Sequence, residues 1–234
     1  MSQAERLPEY SVRPSKRARR VTIKVSSHAG VEVVVPVRFR RSDIPGLVHS
    51  KLDWIVRTLE KVGPVKELKR PDNIQLRLLN QSWRMNYRQS SDGKLRVTEK
   101  DPGELLVSGP SSAPQEVAAG LNQWLQKRAK ETLVPWLNNL SSELGLPFTR
   151  VGVRRQRTKW GSCSAEKSIS LNRNLLFLPE DMARYVLVHE LCHVRQLNHS
   201  DRFWRLLETF EPNARATAVR VRKESSSVPL WAMV

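Results

Sequence analysis

The chain of 234 residues is long enough for one large domain or two small ones with a real core. Forty Lys and Arg against 23 Asp and Glu leave a net charge of +17, which favours an anionic partner such as nucleic acid, nucleotide or phosphate and identifies no chemistry by itself. Two cysteines, Cys163 and Cys192, exclude a disulfide framework; with no apolar run near the ~18 residues of a membrane span, and no signal-like core before Tyr10, a cytoplasmic protein with no membrane partner is expected.

Residues 13–20 carry Arg13, Lys16, Arg17, Arg19 and Arg20 and read as a solvated basic arm, with direct anion binding as the alternative. The period then becomes two. Val21, Ile23 and Val25 alternate with polar residues, residues 26–30 supply a turn, and Val31, Val33, Val35 and Val37 alternate again, which predicts a β-hairpin. Residues 50–62 read as a helix with Leu52, Ile55, Val56 and Leu59 on one face, Ser50 and Asp53 as a capping box, and Gly63-Pro64 as its stop. Trp54 is expected to pack. Period two returns over 74–108, through Ile74, Leu76 and Leu78, then Trp83, Met85 and Tyr87, then Leu95 and Val97, then Leu105 and Val107. Asn80-Gln81, Asp92-Gly93 and Pro102-Gly103 punctuate these runs. Residues 1–110 therefore read as a β-rich N-terminal region with one helix.

The Pro/Ser stretch at 109–114 is the expected boundary of a second domain, over 111–224. A long helix is predicted from about 113 to 144, capped by Ser112, kinked or split at Pro135, and stopped by Gly145 and Pro147. Strands are expected over 148–157 and 168–174, around the turn Lys159-Trp160-Gly161-Ser162-Cys163-Ser164. Pro179, Glu180 and Asp181 suit the first turn of a helix that is apolar on most sides from Met182 to Val194 and hence buried. Ser200 is expected to cap a helix bearing Phe203, Trp204, Leu207 and Phe210, broken at Pro212-Asn213, and a basic helix follows over 214–224. Residues 225–234 form a tail that either docks through Leu230 and Trp231 or is disordered.

Three of the five histidines lie within eleven residues, in a run that begins His189-Glu190-Leu191-Cys192-His193. This is the H-E-x-x-H pattern. Residues four apart share one face of a helix, so His189 and His193 can offer two imidazoles to one metal ion. Glu190 is rotated about 100° from His189 and falls beside the ion, where a base for water belongs. His199 can complete the set if the helix ends near Leu197 and the chain turns back, with Asn198 as the left-handed residue; Glu208 and Glu211 are the alternative third ligands. Three histidines with one open position describe a catalytic zinc site, whereas a structural site fills all four positions. A buried helix must also satisfy its His, Glu and His, and a metal does so. Cys163 and Cys192 are read as small packing residues.

The histidine spacing equals that of the metzincins, but Gln196 stands where those enzymes have glycine and no Met-turn follows. A wider set of motifs instead resembles the YgjP-like zinc metallopeptidase-like family, within the zincin group that includes the SprT and WLM proteases. The set comprises Arg157 to Ser164 around Trp160-Gly161-Ser162-Cys163, Leu171-Asn172, Tyr185 to His193, Asn198-His199-Ser200 and Phe203-Trp204. The resemblance covers most of the chain. It implies an α+β fold, β-rich in its N-terminal part with a zincin-like C-terminal half around the H-E-x-x-H helix. It also implies that His189, His193 and His199 hold one Zn2+ ion and that Glu190 is the catalytic carboxylate.

The leading expectation is zinc-dependent hydrolysis of peptides, with the 168–174 strand at a sheet edge to pair with substrate and Asn172 to orient it. A second reading keeps the metal and gives a nucleotide or other phosphoanhydride to Arg154, Arg155, Arg157 and Lys159, since arginine forks suit phosphate oxygens. A protease tethered to nucleic acid by its basic surface and a non-catalytic metal-binding module are the remaining classes.

Overall fold

Five alternating positions on two strands set up the first unit of the chain. In a computed structural model, which describes residues 7–26, 29–64, 67–90, 93–109, 113–156 and 158–234, β2 (Thr22–Ser26) and β3 (Gly30–Pro36) form the expected antiparallel hairpin. A further strand, β1 (Tyr10–Ser15), lies parallel to β3 on its other side, with Tyr10 opposite Val31. The basic arm is therefore part of a sheet over these residues, and Arg13 is paired with Glu32 at 2.7 Å. Val31, Val33 and Val35 pack on Ile44 and Val48 of α1 (Ile44–His49) and on Ile55 of α2 (Leu52–Val62). Val37 lies beyond the strand and is exposed.

Helix α1 changes the expected role of Ser50. Its backbone N–H donates to Gly46 O at the end of α1 and its hydroxyl to Leu47 O, so it closes α1 and caps nothing in α2. Trp54 and Val56 are not packed. They point away from the face that buries Ile55, and Trp54 is 44% exposed. Gly63, at φ +76°, ends α2.

The two compact units are Met1–Leu68 and Lys69–Val234. The second opens with β4 (Asn73–Leu76), β5 (Gln81–Gln89), β6 (Arg96–Glu99) and β7 (Glu104–Gly109), in the order β4-β5-β7-β6. Helix α3 (Pro114–Leu144) runs unbroken through Pro135, so the chain is not split there. Leu121, Leu125, Leu133, Leu137 and Leu140 are buried along it, each contributing about 1.5–3 kcal/mol. Trp124 packs edge-on against Trp83 of β5 and donates to Glu99 of β6, which ties this sheet to the C-terminal helices. The stretch at 109–114 thus joins β7 to α3 within one unit. Asp92 of the expected turn and Ser112 of the expected cap lie outside the described residues. Gly145, at φ +63°, ends α3 in the left-handed conformation anticipated there.

A third sheet holds β8 (Arg150–Arg154), β9 (Gly161–Cys163) and β10 (Ser168–Asn172), in the order β8-β10-β9. This overturns the expectation that β10 is an edge. Both sides of β10 are taken, by β8 in parallel and β9 antiparallel, and the edge strands are β8 and β9. Four helices follow: α4 (Glu180–Cys192), α5 (Asp201–Phe210), α6 (Ala214–Lys223) and α7 (Leu230–Met233). The last turn docks. Trp231 is 4% exposed, edge-on to Phe177, and Asn122 donates to its carbonyl at 2.8 Å. No helix among the described residues is long and apolar enough to cross a membrane.

Candidate metal centre

Helix α4 is central because of its composition. Met182, Ala183, Val186, Leu187, Val188, Leu191 and Cys192 bury it on most sides, and Glu180 and Asp181 occupy the positive end of its dipole. Pro179 stands one place earlier than expected, at the N-cap. His189 and His193 project one turn apart. The helix stops at His193, well before Leu197, and its last amides bend back: Val194 N–H donates to Leu191 O, and Arg195 and Gln196 N–H both to Cys192 O. No left-handed residue is used at Asn198, since the only non-glycine residues with positive φ among those described are Asn80 and Lys167.

This turn returns His199 to the helix. His199 Nε2 lies 3.0 Å from His189 Nε2, and His193 Nε2 lies 3.2 Å from the same atom. One ligand nitrogen from each ring falls within 4.8 Å of the others, and among the described residues no other group of ligating side chains converges in this way. A tetrahedral ion with Zn–N bonds of about 2.0–2.1 Å would set its nitrogens roughly 3.3 Å apart, so the three imidazoles fit one ion. Burial, with the neighbouring imidazoles, pushes His189 down to about 3, and burial also lowers His193. Both rings thus stay neutral and free to ligate.

The rings are held from behind. His193 Nδ1 donates to Gln196 O at 2.8 Å, which leaves its Nε2 lone pair facing the centre. Phe203 stacks on His193 with centroids 4.6 Å apart and meets His189 and His199 edge-on. Tyr185 OH lies 3.3 Å from His189 Nδ1, and burial pushes its phenol up to about 12; with His189 Nε2 facing the centre, Nδ1–H is the donor and the phenol oxygen the acceptor. Tyr185→Phe is expected to weaken metal binding by about tenfold, in the range found for lost outer partners of a ligand histidine. Competition with a chelator measures this; an unchanged affinity would remove Tyr185 from the centre.

Glu190 sits on the neighbouring flank of α4. It is 5% exposed, and Oε2 is buried with no hydrogen-bond partner among the described residues. Burial pushes the carboxyl up to about 8, partly offset by Lys159. An orphaned buried carboxylate oxygen beside three converging imidazoles fits a cation and a water molecule.

The other candidates are placed elsewhere. Glu208 pairs with Arg215 at 2.8 Å and Glu211 with Arg184 at 2.9 Å, so neither turns to the histidines. Cys163 is a half-buried thiol pushed up to about 11 by burial and by Glu190, and buried Cys192 is pushed up to about 12 by burial; neither joins the ligand cluster. Arg154 is exposed on β8, and Arg155 donates to the Val234 carbonyl. Arg157 lies outside the described residues. Asn172 is 4% exposed, and its side chain is committed: Nδ2 donates to Gln156 O and Lys159 O, and Oδ1 accepts from Asn174 N–H. It is therefore withdrawn from substrate. Tyr185 and Gln196 are the residues that sequence reasoning missed. Tyr185 could have been found at the i−4 position from His189, whereas Gln196 contributes only its backbone.

A centre of this kind, on a buried helix within an α+β unit, belongs to the metal-dependent, peptidase-like hydrolases. The chain is a member of the YgjP-like family, whose metallopeptidase domain matches residues 19–223. Among solved structures it is similar to the metallopeptidase zymogen of Pyrococcus abyssi abylysin, with 27% identity and a TM-score of 0.32, over 45% of this chain and 93% of that one. No curated protein matches.

Proposed function

We propose that the protein is a zinc-dependent peptidase that holds one ion on His189, His193 and His199 and uses Glu190 as general base. The observation that carries this is the convergence of three imidazoles at one end of a helix that also bears a buried carboxylate oxygen with no hydrogen-bond partner among the described residues. When bound, the ion supplies Lewis-acid activation of water and of the substrate carbonyl. Glu190 Oε2 then takes the proton of the attacking water and passes it to the departing amine. Its burial favours this, because a carboxylate in a dry site holds a proton more readily than one in water. The open edge of β9, next to Glu190, offers backbone N–H and C=O groups to an extended peptide.

The peptidase reading is favoured over a phosphoanhydride one because, among the described residues, Arg155 donates to the Val234 carbonyl, whereas the three histidines converge on one point. A panel of casein, unstructured peptides and nucleoside triphosphates tests the choice. Casein or peptide cleavage is expected, lost on chelation and restored by Zn2+. Triphosphate hydrolysis without peptide cleavage would overturn the peptidase reading.

A further inference from the structure

We propose that Gly161 is a positioning residue for Glu190: its bare Cα is the seat against which the carboxylate is set. The inference rests on the role of Glu190 given above and extends it to the strand that faces it. A Cβ on Gly161 would lie 2.7 Å from both Glu190 Cγ and Oε1, and 2.8 Å from Cδ. Glycine is not needed here for its backbone, because Gly161 lies in β9 opposite Leu171 and is absent from the positive-φ glycines. What the position requires is the missing side chain.

Neither partner is free to step back. Glu190 is buried on α4 between the ligand His189 and the core residue Leu191. The segment before Gly161 is pinned from two directions. Asn172 Nδ2 donates to Gln156 O at 2.9 Å and to Lys159 O at 2.8 Å, while Asn172 N–H donates to Trp160 O at 2.8 Å. Trp160 Nε1 donates in turn to Val221 O of α6 at 3.2 Å. Asn172 thus acts on the site by fixing where β9 begins.

Ordinary van der Waals contact begins at 3.4 Å, so a methyl group at 161, now 2.7 Å from these atoms, must displace the carboxylate by about 0.7 Å or more. Displacements of roughly 1 Å at a reacting group cost about 100-fold in rate. The three atoms nearest that Cβ all belong to Glu190, and none belongs to His189, His193 or His199.

The test uses the zinc-loaded full chain with Gly161→Ala, Glu190→Ala and the double variant. Gly161→Ala should lower the urea midpoint when Glu190 is present, and lower it little or not at all in the Glu190→Ala background, where Cγ, Cδ and Oε1 are gone. If Gly161→Ala fails to fold alone, the double variant should fold. On casein, Gly161→Ala should lose about 100-fold in kcat, with KM and zinc affinity within about twofold of wild type. An equal midpoint loss in both backgrounds, failure of both variants to fold, an unchanged kcat, or loss of zinc from Gly161→Ala would each overturn the proposal. If the wild type hydrolyses nothing in the substrate panel, the hydrolase reading fails, while the urea comparison still upholds or overturns the seat.

Discussion

Glu190→Gln is expected to keep zinc at wild-type affinity and to lose turnover by about 10²–10⁴-fold, the usual contribution of a positioned general base. The substitution preserves shape and removes only the ability to take a proton. It is informative here because Oε2 makes no hydrogen bond among the described residues, so the amide has none to break at that atom. A residue buried for stability would not leave that oxygen orphaned, since an unsatisfied buried acceptor costs about 1–3 kcal/mol. Replacing the charge by an amide should therefore leave stability unchanged or raise it slightly. Zinc content, the urea midpoint and casein turnover, measured together, decide the matter. Turnover equal to wild type would sink the mechanism, whereas loss of zinc with loss of turnover would make Glu190 a structural support of the centre.

His193→Ala carries the second large effect, on the metal itself. Four-ligand zinc sites bind with roughly 10–16 kcal/mol, or about 3 kcal/mol per ligand, so zinc affinity should fall by about 100-fold or more. His193 is the best anchored of the three. It is buried, bonded through Nδ1 to Gln196 O and stacked on Phe203. His199 is exposed and arrives by a turn, so His199→Ala should lose less, on the order of tenfold. Chelator competition on both variants, with far-UV circular dichroism to confirm folding, ranks them. Wild-type zinc affinity in His193→Ala would remove it from the ligand set.

Much of this centre was legible in the sequence because its information is local. Spacings of four and six residues brought out all three histidines, and the apolar run around them marked α4 as buried. The β2–β3 hairpin and α3 were equally readable, since each carries a sustained period. What sequence did not reveal depends on pairing between distant segments. Strand β1 hides behind basic residues and pairs with β3 only in the folded unit. Helix α1 has six residues, two of them Pro45 and Gly46, too short and too poorly formed to show a period. The order β8-β10-β9 cannot be inferred from alternation within any one strand, and so the wrong strand was expected at the edge. Asn172 was expected to orient substrate, but its polar groups turn inward to the backbone.

The compactness of the histidine run also bears on the order of assembly. The length-dependent cost of closing a loop grows as about (3/2)RT ln n, near 1.6 kcal/mol for the separation of six from His193 to His199 and near 3.0 kcal/mol for the separation of 29 from Gly161 to Glu190. An incompletely folded chain can therefore gather its imidazoles around an ion at a lower closure cost than it can bring β9 to Glu190. Zinc that also binds the unfolded chain stabilises the folded one by less than its native affinity implies. On the proposed reading, capturing the metal is an event of eleven residues, whereas placing Glu190 as the base is a property of the finished fold.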